Sequence, residues 1–243
     1  MRPGAAPGVY SRWPDALRAA GQRLAYLGPA GTWTHQACLQ WCEAAQLQPG
    51  PELLSMAAED ALQALVQGTV DAVCLPVSTH LVGATPYMPQ VLALLENAWR
   101  PGPQPLLQVV GECRLQLGYS MMARPGVTLA QLQAVCAHPV ALQEAAAWLR
   151  QHLPRLPLQP STSAGAAAQA VAAAHDQTLA CLGPALAATL HGLVVLGDGI
   201  EQGPHNETRW WLLAAAARPA AVMDARQPWL GAFALAHAAA ALP

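Results

Sequence analysis

The sequence predicts an α/β protein built as two lobes, on three observations. Short apolar runs alternate with helical patterns along most of the chain, which is the βα rhythm of a parallel sheet. A cluster of prolines, Pro101, Pro103 and Pro105, interrupts that rhythm in the interior and marks a linker. The 243 residues suffice for one sizeable α/β domain or for two small lobes.

Taken in order, the chain opens with a Pro/Gly/Arg leader over 1–22 that has basic residues but no continuous apolar stretch, so no signal peptide is expected. "RLAYLGPAGTWTHQACLQW" then reads as a buried strand, a Gly-Pro turn and a helix capped by Thr32 or Thr34. In "AAEDALQALVQGTVDAVCLPV" apolar positions recur every three and four residues. This predicts a helix stopped at Gly68, followed by a buried strand over Val70 to Val77. Beyond the prolines come the strand-like "PLLQVVGECRLQL", a helix from Thr128, the strand "AVCAHP" and the helix "ALQEAAAWLRQHL". An Ala-rich helix from Ser163 to Ala174 follows, and "TLACLGPALAATLHGLVVL" gives strand, Gly-Pro turn, helix and strand. The expected layout is one lobe over about 23–102 plus 190–216, a second over about 103–189, and an Ala-rich tail at 217–243.

Composition narrows the function. Charged residues make up only 11% of the chain, all 12 bases are arginine, and the net charge is -2. Without a broad basic field the sequence argues against nucleic acid and anionic membrane and for a small-molecule or protein partner. "WLGAFALAHAAAAL" is apolar but falls short of the ~20 residues needed to span a bilayer, so a soluble, cytoplasmic protein is expected. Cys38, Cys42, Cys74, Cys113, Cys136 and Cys181 are scattered through apolar runs with no CxxC pair and read as reduced core residues. His35, Cys38 and Cys42 share a helical spacing, but core residues surround them and no fourth ligand is evident. No metal and no cofactor are expected. Trp33, Trp41 and Trp148 read as packing groups.

The stretch "GPHNETRWWLL" sets Asn206, Thr208 and Arg209 against the apolar wall of Trp210 and Trp211. A plain reading is a capped turn entering a strand, with the arginine paired to a local acid such as Glu201 or Glu207. Gly28, Pro29, Gly31 and Thr32 form a loop able to offer backbone N–H groups at a helix N-terminus to an anion. Ser161, Thr162 and Ser163 open the Ala-rich helix in the same manner, and simple capping explains them equally.

In order and spacing, "LAYLGPAGTWTHQA", "GTVDAVCLPV", "VVGECRL", "AHPVALQEAAAWL", "STSAGAA", "ACLGPALAATLHGLVVL" and "NETRWWLL" resemble the prephenate dehydratase family over roughly Leu24 to Ala216. The resemblance implies two α/β lobes like those of a type II periplasmic binding protein, with an active site in the interlobe cleft. It also implies the conversion of prephenate into phenylpyruvate in phenylalanine biosynthesis, and a homodimer. Prephenate is a dicarboxylate with a 4-hydroxycyclohexadiene ring; aromatisation drives the loss of carbon dioxide and water, so the protein needs only to hold the carboxylates and help hydroxide leave. A positioned hydroxyl performs the second task, and the family threonine falls on Thr208. Arg209 supplies a fork of donors for a carboxylate, and Trp210 stands where the family has phenylalanine. Gly28, Pro29, Gly31, Thr32, Ser161, Thr162 and Asn206 are the further substrate-binding candidates.

Departures from the family pattern accompany these matches. Where relatives place a Glu-Asn pair after the strand-ending proline, this chain has Ser78 and Thr79, Thr79 standing at the asparagine. The family's Ser-His-Pro-Gln is here Ala137-His138-Pro139-Val140, which keeps His138, and the family glutamine further on aligns with Glu144 beside Gln143. Two other functions fit the same residues: a prephenate decarboxylase that does not aromatise the ring, against which the retained threonine argues, and a catalytically silent binding module. Family members commonly carry a phenylalanine-sensing ACT domain after the catalytic region; the stretch after Ala216 has room for one helix after Pro228 and is too short for such a domain.

Overall fold

The computed structural model of the protein describes residues 9–10, 17–18, 21–98, 106–175, 178–203 and 206–216. The leader, the tail at 217–243 and the proline cluster lie almost wholly outside the described residues. In chain order the elements are β1 (Val9–Tyr10), β2 (Arg23–Leu27), α1 (Trp33–Ala44), β3 (Glu52–Met56), α2 (Ala58–Val66), β4 (Ala72–Thr79), β5 (Gly83–Ala84) and α3 (Met88–Ala98). There follow β6 (Leu106–Gln116), β7 (Ser120–Ala123), β8 (Ala134–Ala137), α4 (Pro139–Glu144), α5 (Ala146–His152) and β9 (Leu158–Pro160). The last are α6 (Ala164–Ala173), β10 (Leu179–Gly183), α7 (Leu186–His191), β11 (Val194–Gly197) and β12 (Glu207–Ala216).

Two compact units share these elements, each with its own sheet, so the α/β class is the one observed. Among the described residues the seven-stranded unit takes those within Gly8–Leu27 and Gln40–Arg114 and those from Thr208 to Ala216; its strands run β1-β6-β12-β4-β2-β3, with β5 against β4. Pairs β2–β3 and β2–β4 are parallel as the βα rhythm predicts, whereas β12–β4 and β1–β6 are antiparallel, so the sheet is mixed. β4 lies inside the sheet between β12 and β2 and is buried along most of its length, with α2 packed over Val73, Leu75 and Val77, and its sequence accordingly reads as a continuous apolar run. On α2 the buried positions Ala58, Ala61, Leu62 and Leu65 form one face. Glu59 and Asp60 occupy its first turn, where the helix dipole favours acids, and Gly68 at φ +71 follows its end. This face packs with Val73, Leu75, Trp211 and Leu213 in one core. Truncating a buried leucine of that core to alanine would cost about 2–5 kcal/mol.

The five-stranded unit comprises Gly28–Leu39 and Leu115–Glu207, with strand order β11-β7-β10-β8-β9. Its boundaries differ from the expected layout in two places. The change of unit falls inside β6 at 114/115, because that strand runs unbroken from Leu106 to Gln116; the prolines separate α3 from β6 and do not separate lobes. Residues 190–207 join this unit, where β11 pairs with β7, and so do residues 28–39, whose Pro29 and Ala30 lie against Gly165. The helix expected from Thr128 is one 3-10 turn, Leu129–Gln131. Its capping box with Gln131 is real, yet Leu132 is already extended on the way into β8. The helix over "ALQEAAAWLRQHL" is two, α4 and α5, parted at Ala145.

Candidate active site

In the seven-stranded unit the predicted catalytic pair sits at the start of β12, opposite the end of β4. Thr208 lies across from Thr79, Arg209 from Ser78 and Trp210 from Pro76, with a bulge between the last two pairs. Along an extended strand successive side chains leave opposite faces, so Thr208 and Trp210 share one face and Arg209 and Trp211 the other. Thr208 is 3% exposed, and its Oγ1 is buried without a hydrogen-bond partner. Thr79 Oγ1 is occupied, accepting from Val82 N at 3.2 Å.

Arg209 has a partner that the sequence did not indicate. Its Nε lies 3.7 Å from Glu112 Oε1 on β6, the oxygen that also receives Arg114 Nε at 2.6 Å. Trp211 Nε1 donates to the other oxygen, Oε2, at 3.2 Å. Neither Glu201 nor Glu207, the local acids considered above, takes this place. The signal for Glu112 was an acid inside the apolar run "VVGEC", which a buried strand tolerates only with partners.

In the five-stranded unit the loop Gly28–Thr32 and the start of α6 come together, joining two of the predicted anion-binding stretches. Gly165, the second residue of α6, faces the loop so closely that an added Cβ would lie 2.9 Å from Pro29 Cγ and nearer still to the Ala30 carbonyl oxygen. On its other side Gly31, at φ +82, packs against Ala187 and His191. Thr32 is the residue that caps α1, its Oγ1 accepting from His35 N at 3.3 Å. His35 Nδ1 in turn accepts from Gly31 N at 3.3 Å, and burial lowers the pKa of that imidazole. Ser163 Oγ caps α6 by accepting from Ala166 N at 3.0 Å, Ser161 Oγ donates to Ser163 O, and Thr162 is exposed.

A second group in this unit centres on Tyr119, which sequence reasoning missed. Asn206 Nδ2 donates to Tyr119 Oη at 2.8 Å, and the Trp33 ring lies against the Tyr119 ring with centroids 4.7 Å apart. Tyr119 N donates to Glu201 Oε2 at 2.8 Å. Burial pushes the phenol pKa up; the Asn206 hydrogen bond lowers it, and the charges of Glu144 and Glu201 raise it further. Trp33 Nε1 and Asn206 Oδ1 are buried without partners. Glu144 is buried at the end of α4, where its carbonyl accepts from Gln202 N. His138 Nδ1 caps α4, accepting from Val140 N at 3.3 Å, and burial lowers its pKa.

All six cysteines are free thiols, and burial pushes Cys42 up to about 11. Among the described residues no three His, Cys, Asp or Glu side chains come together as a metal site, and no helix is long and apolar enough to cross a membrane.

Residues 24–218 match the family described as Prephenate dehydratase. The prephenate dehydratase of Mycobacterium leprae (strain Br4923) is 35% identical over 205 residues, covering 82% of this chain and 60% of that protein. The chain thus spans about three fifths of the length of such curated relatives. Among solved structures, prephenate dehydratase from Arthrobacter aurescens in complex with L-Phe superposes with a TM-score of 0.67 at 24% identity, over 81% of this chain and 60% of that one. A protein described as a novel type of quorum quenching acylase superposes with a TM-score of 0.65, also at 24% identity, over 82% of this chain and 66% of that one. Likeness at that identity establishes the fold, which hosts more than one chemistry. The match from 24 to 218, with the identity to the mycobacterial sequence, is a family relationship: the chain belongs to the prephenate dehydratase family.

Proposed function

We propose that the chain catalyses the decarboxylating dehydration of prephenate to phenylpyruvate, the reaction for which its relatives are named, in the service of phenylalanine synthesis. The observation that carries this reading is the Thr208 hydroxyl. It occupies the family's threonine position and is buried, and no internal hydrogen bond uses it. In the reaction the bond from the ring to its carboxylate breaks, and the electron pair becomes a ring π bond. The C4–O bond breaks in turn, and the oxygen leaves as water once it has received a proton. A buried hydroxyl with an unused proton suits that last need, in surroundings where a hydrogen bond to developing negative charge is stronger than in water. Arg209, engaged by Glu112, has the role of holding the entry of β12, and with it the Trp210 wall, in place, a task separate from that of the Thr208 hydroxyl. The loop Gly28–Thr32, packed on α6, offers backbone N–H groups to a substrate carboxylate. Assembly as a homodimer and a cytoplasmic location belong to the same proposal and rest on family membership.

The test is to incubate the purified protein with prephenate at neutral to alkaline pH beside an enzyme-free control, since prephenate aromatises unaided in acid. Ultraviolet absorbance and mass spectrometry should show phenylpyruvate. A decarboxylated product without an aromatic ring, or no change, would reject the reading.

A further inference from the structure

Within the five-stranded unit two buried polar atoms lack partners and complement one another. Trp33 Nε1 is a donor with no acceptor, and Asn206 Oδ1 is an acceptor with no donor. Buried groups of this kind are costly and rare, so each calls for an explanation such as a bond completed by a ligand. Both belong to one connected arrangement. The indole of Trp33 rests on the Tyr119 ring, and the Tyr119 hydroxyl accepts from Asn206 Nδ2 at 2.8 Å. With its nitrogen tied to the phenol, the amide has its oxygen left to offer. Tyr119 is itself held at both ends of its backbone, donating from N to Glu201 Oε2 and accepting at O from Ile200 N at 3.2 Å.

One chemical group offers what both atoms lack. A hydroxyl accepts from the indole N–H and donates to the amide oxygen, whereas a carboxylate has no proton to give and an ammonium no lone pair to offer. Charge selects the same class: the carboxylates of Glu144 and Glu201 both act on Tyr119, and a further anion beside them would be repelled. We infer that Trp33, Tyr119 and Asn206 form a subsite for an uncharged hydroxyl of the ligand, with Tyr119 as the positioning residue for the Asn206 amide. Resting on the function proposed above, the group is the ring hydroxyl of prephenate, the one hydroxyl that molecule carries.

The test compares prephenate with phenylpyruvate, which has the same side chain and a six-membered ring but neither the hydroxyl nor the ring carboxylate. Trp33→Phe removes the donor, and Tyr119→Phe frees the amide to rotate. Each variant should lower kcat/KM for prephenate at least ~10-fold, the effect of one lost hydrogen bond, while the inhibition constant of phenylpyruvate stays within about 2-fold. Equal losses for the two ligands would mean a purely structural role and overturn the inference, as would an unchanged kcat/KM in either folded variant. Thermal denaturation identifies a variant that fails to fold, in which case the other one decides. If the wild-type protein leaves prephenate unchanged, the proposed function falls at that step. The subsite is then judged by calorimetric titration of prephenate and phenylpyruvate into the wild type and both variants. A preference for prephenate that the substitutions abolish supports it; no preference, or no binding of prephenate, overturns it.

Discussion

Gly165→Ala places a methyl group where the structure has no room for one. The new Cβ would stand 2.9 Å from Pro29 Cγ and closer to the Ala30 carbonyl oxygen, and a peptide carbonyl cannot swing aside as a long side chain can. To restore ordinary contact, α6 or the Gly28–Thr32 loop must retreat by about half an ångström or more, and overpacking of this kind costs roughly 1–3 kcal/mol. Alanine in a helix gives back about 0.5–1 kcal/mol relative to glycine, which leaves a net loss of up to about 2.5 kcal/mol. Urea denaturation measures the loss. Gly50→Ala is the control, because its Cβ would meet only Leu47 O at 3.7 Å and stability should change little. The displaced loop should also lower kcat/KM for prephenate about 10-fold, within the range that misplacement of a binding group produces. A Gly165→Ala protein as stable and as active as the wild type would show that the loop does not depend on α6 for its position.

Three further outcomes are expected. Thr208→Val should cut turnover at least ~10²-fold, with the melting temperature unchanged or raised because the substitution removes an unpartnered buried hydroxyl; wild-type turnover would reject the role given to Thr208. Glu112→Gln should lower stability by about 1–2 kcal/mol in urea, since two arginines lose their charged acceptor and both carry part of that charge out of solvent; an unchanged midpoint would make the 3.7 Å contact to Arg209 incidental. For His138 burial lowers the imidazole pKa below the usual 6.5, so between the two values the unfolded chain binds more protons and stability is lost as pH falls below 6.5 through the lowered value. His138→Asn keeps a capping acceptor that does not titrate and should reduce the fall in melting temperature between pH 7.5 and pH 5; an identical fall would clear His138 of it.

What the sequence disclosed was local. Gly68, Thr32, Ser163 and the apolar runs of β2, β4 and β10 announce turns, caps and buried strands through their own backbone and side-chain preferences, and each stands close to where it was expected. Pairings between distant segments were out of reach. Glu112 meets Arg209 and Trp211 because β6 lies beside β12, and Asn206 meets Tyr119 across 87 positions. Nothing within "LGYSMM" distinguishes a positioning tyrosine from a core one. The capping box at Thr128 shows the converse failure: the local signal was correct, but the pull of the chain into β8 limited it to one turn.

Strand geometry separates two residues that the sequence joins. Thr208 and Arg209 are consecutive and read naturally as one catalytic device, yet a strand sends neighbouring side chains to opposite faces. Arg209 shares its face and its acid, Glu112, with Trp211, while Thr208 shares the other face with the buried Trp210. Groups that act as a unit on one reacting centre show strong non-additivity, because once the first is lost the second has little left to contribute. Groups on opposite faces that share no partner and perform separate tasks should contribute nearly independently, within about 0.5 kcal/mol. A double-mutant cycle decides between these cases: kcat/KM for Thr208→Val, Arg209→Lys and the double variant, each shown to be folded by thermal denaturation. Lysine has no Nε–H to place beside Glu112, so the single Arg209 variant should be slower through poorer placement of the strand, and the double variant slower than either single one by nearly the product of the two losses. A double variant no slower than Thr208→Val alone would mean that the arginine works through the threonine hydroxyl, and the assignment of the two residues to separate faces and separate tasks would be wrong.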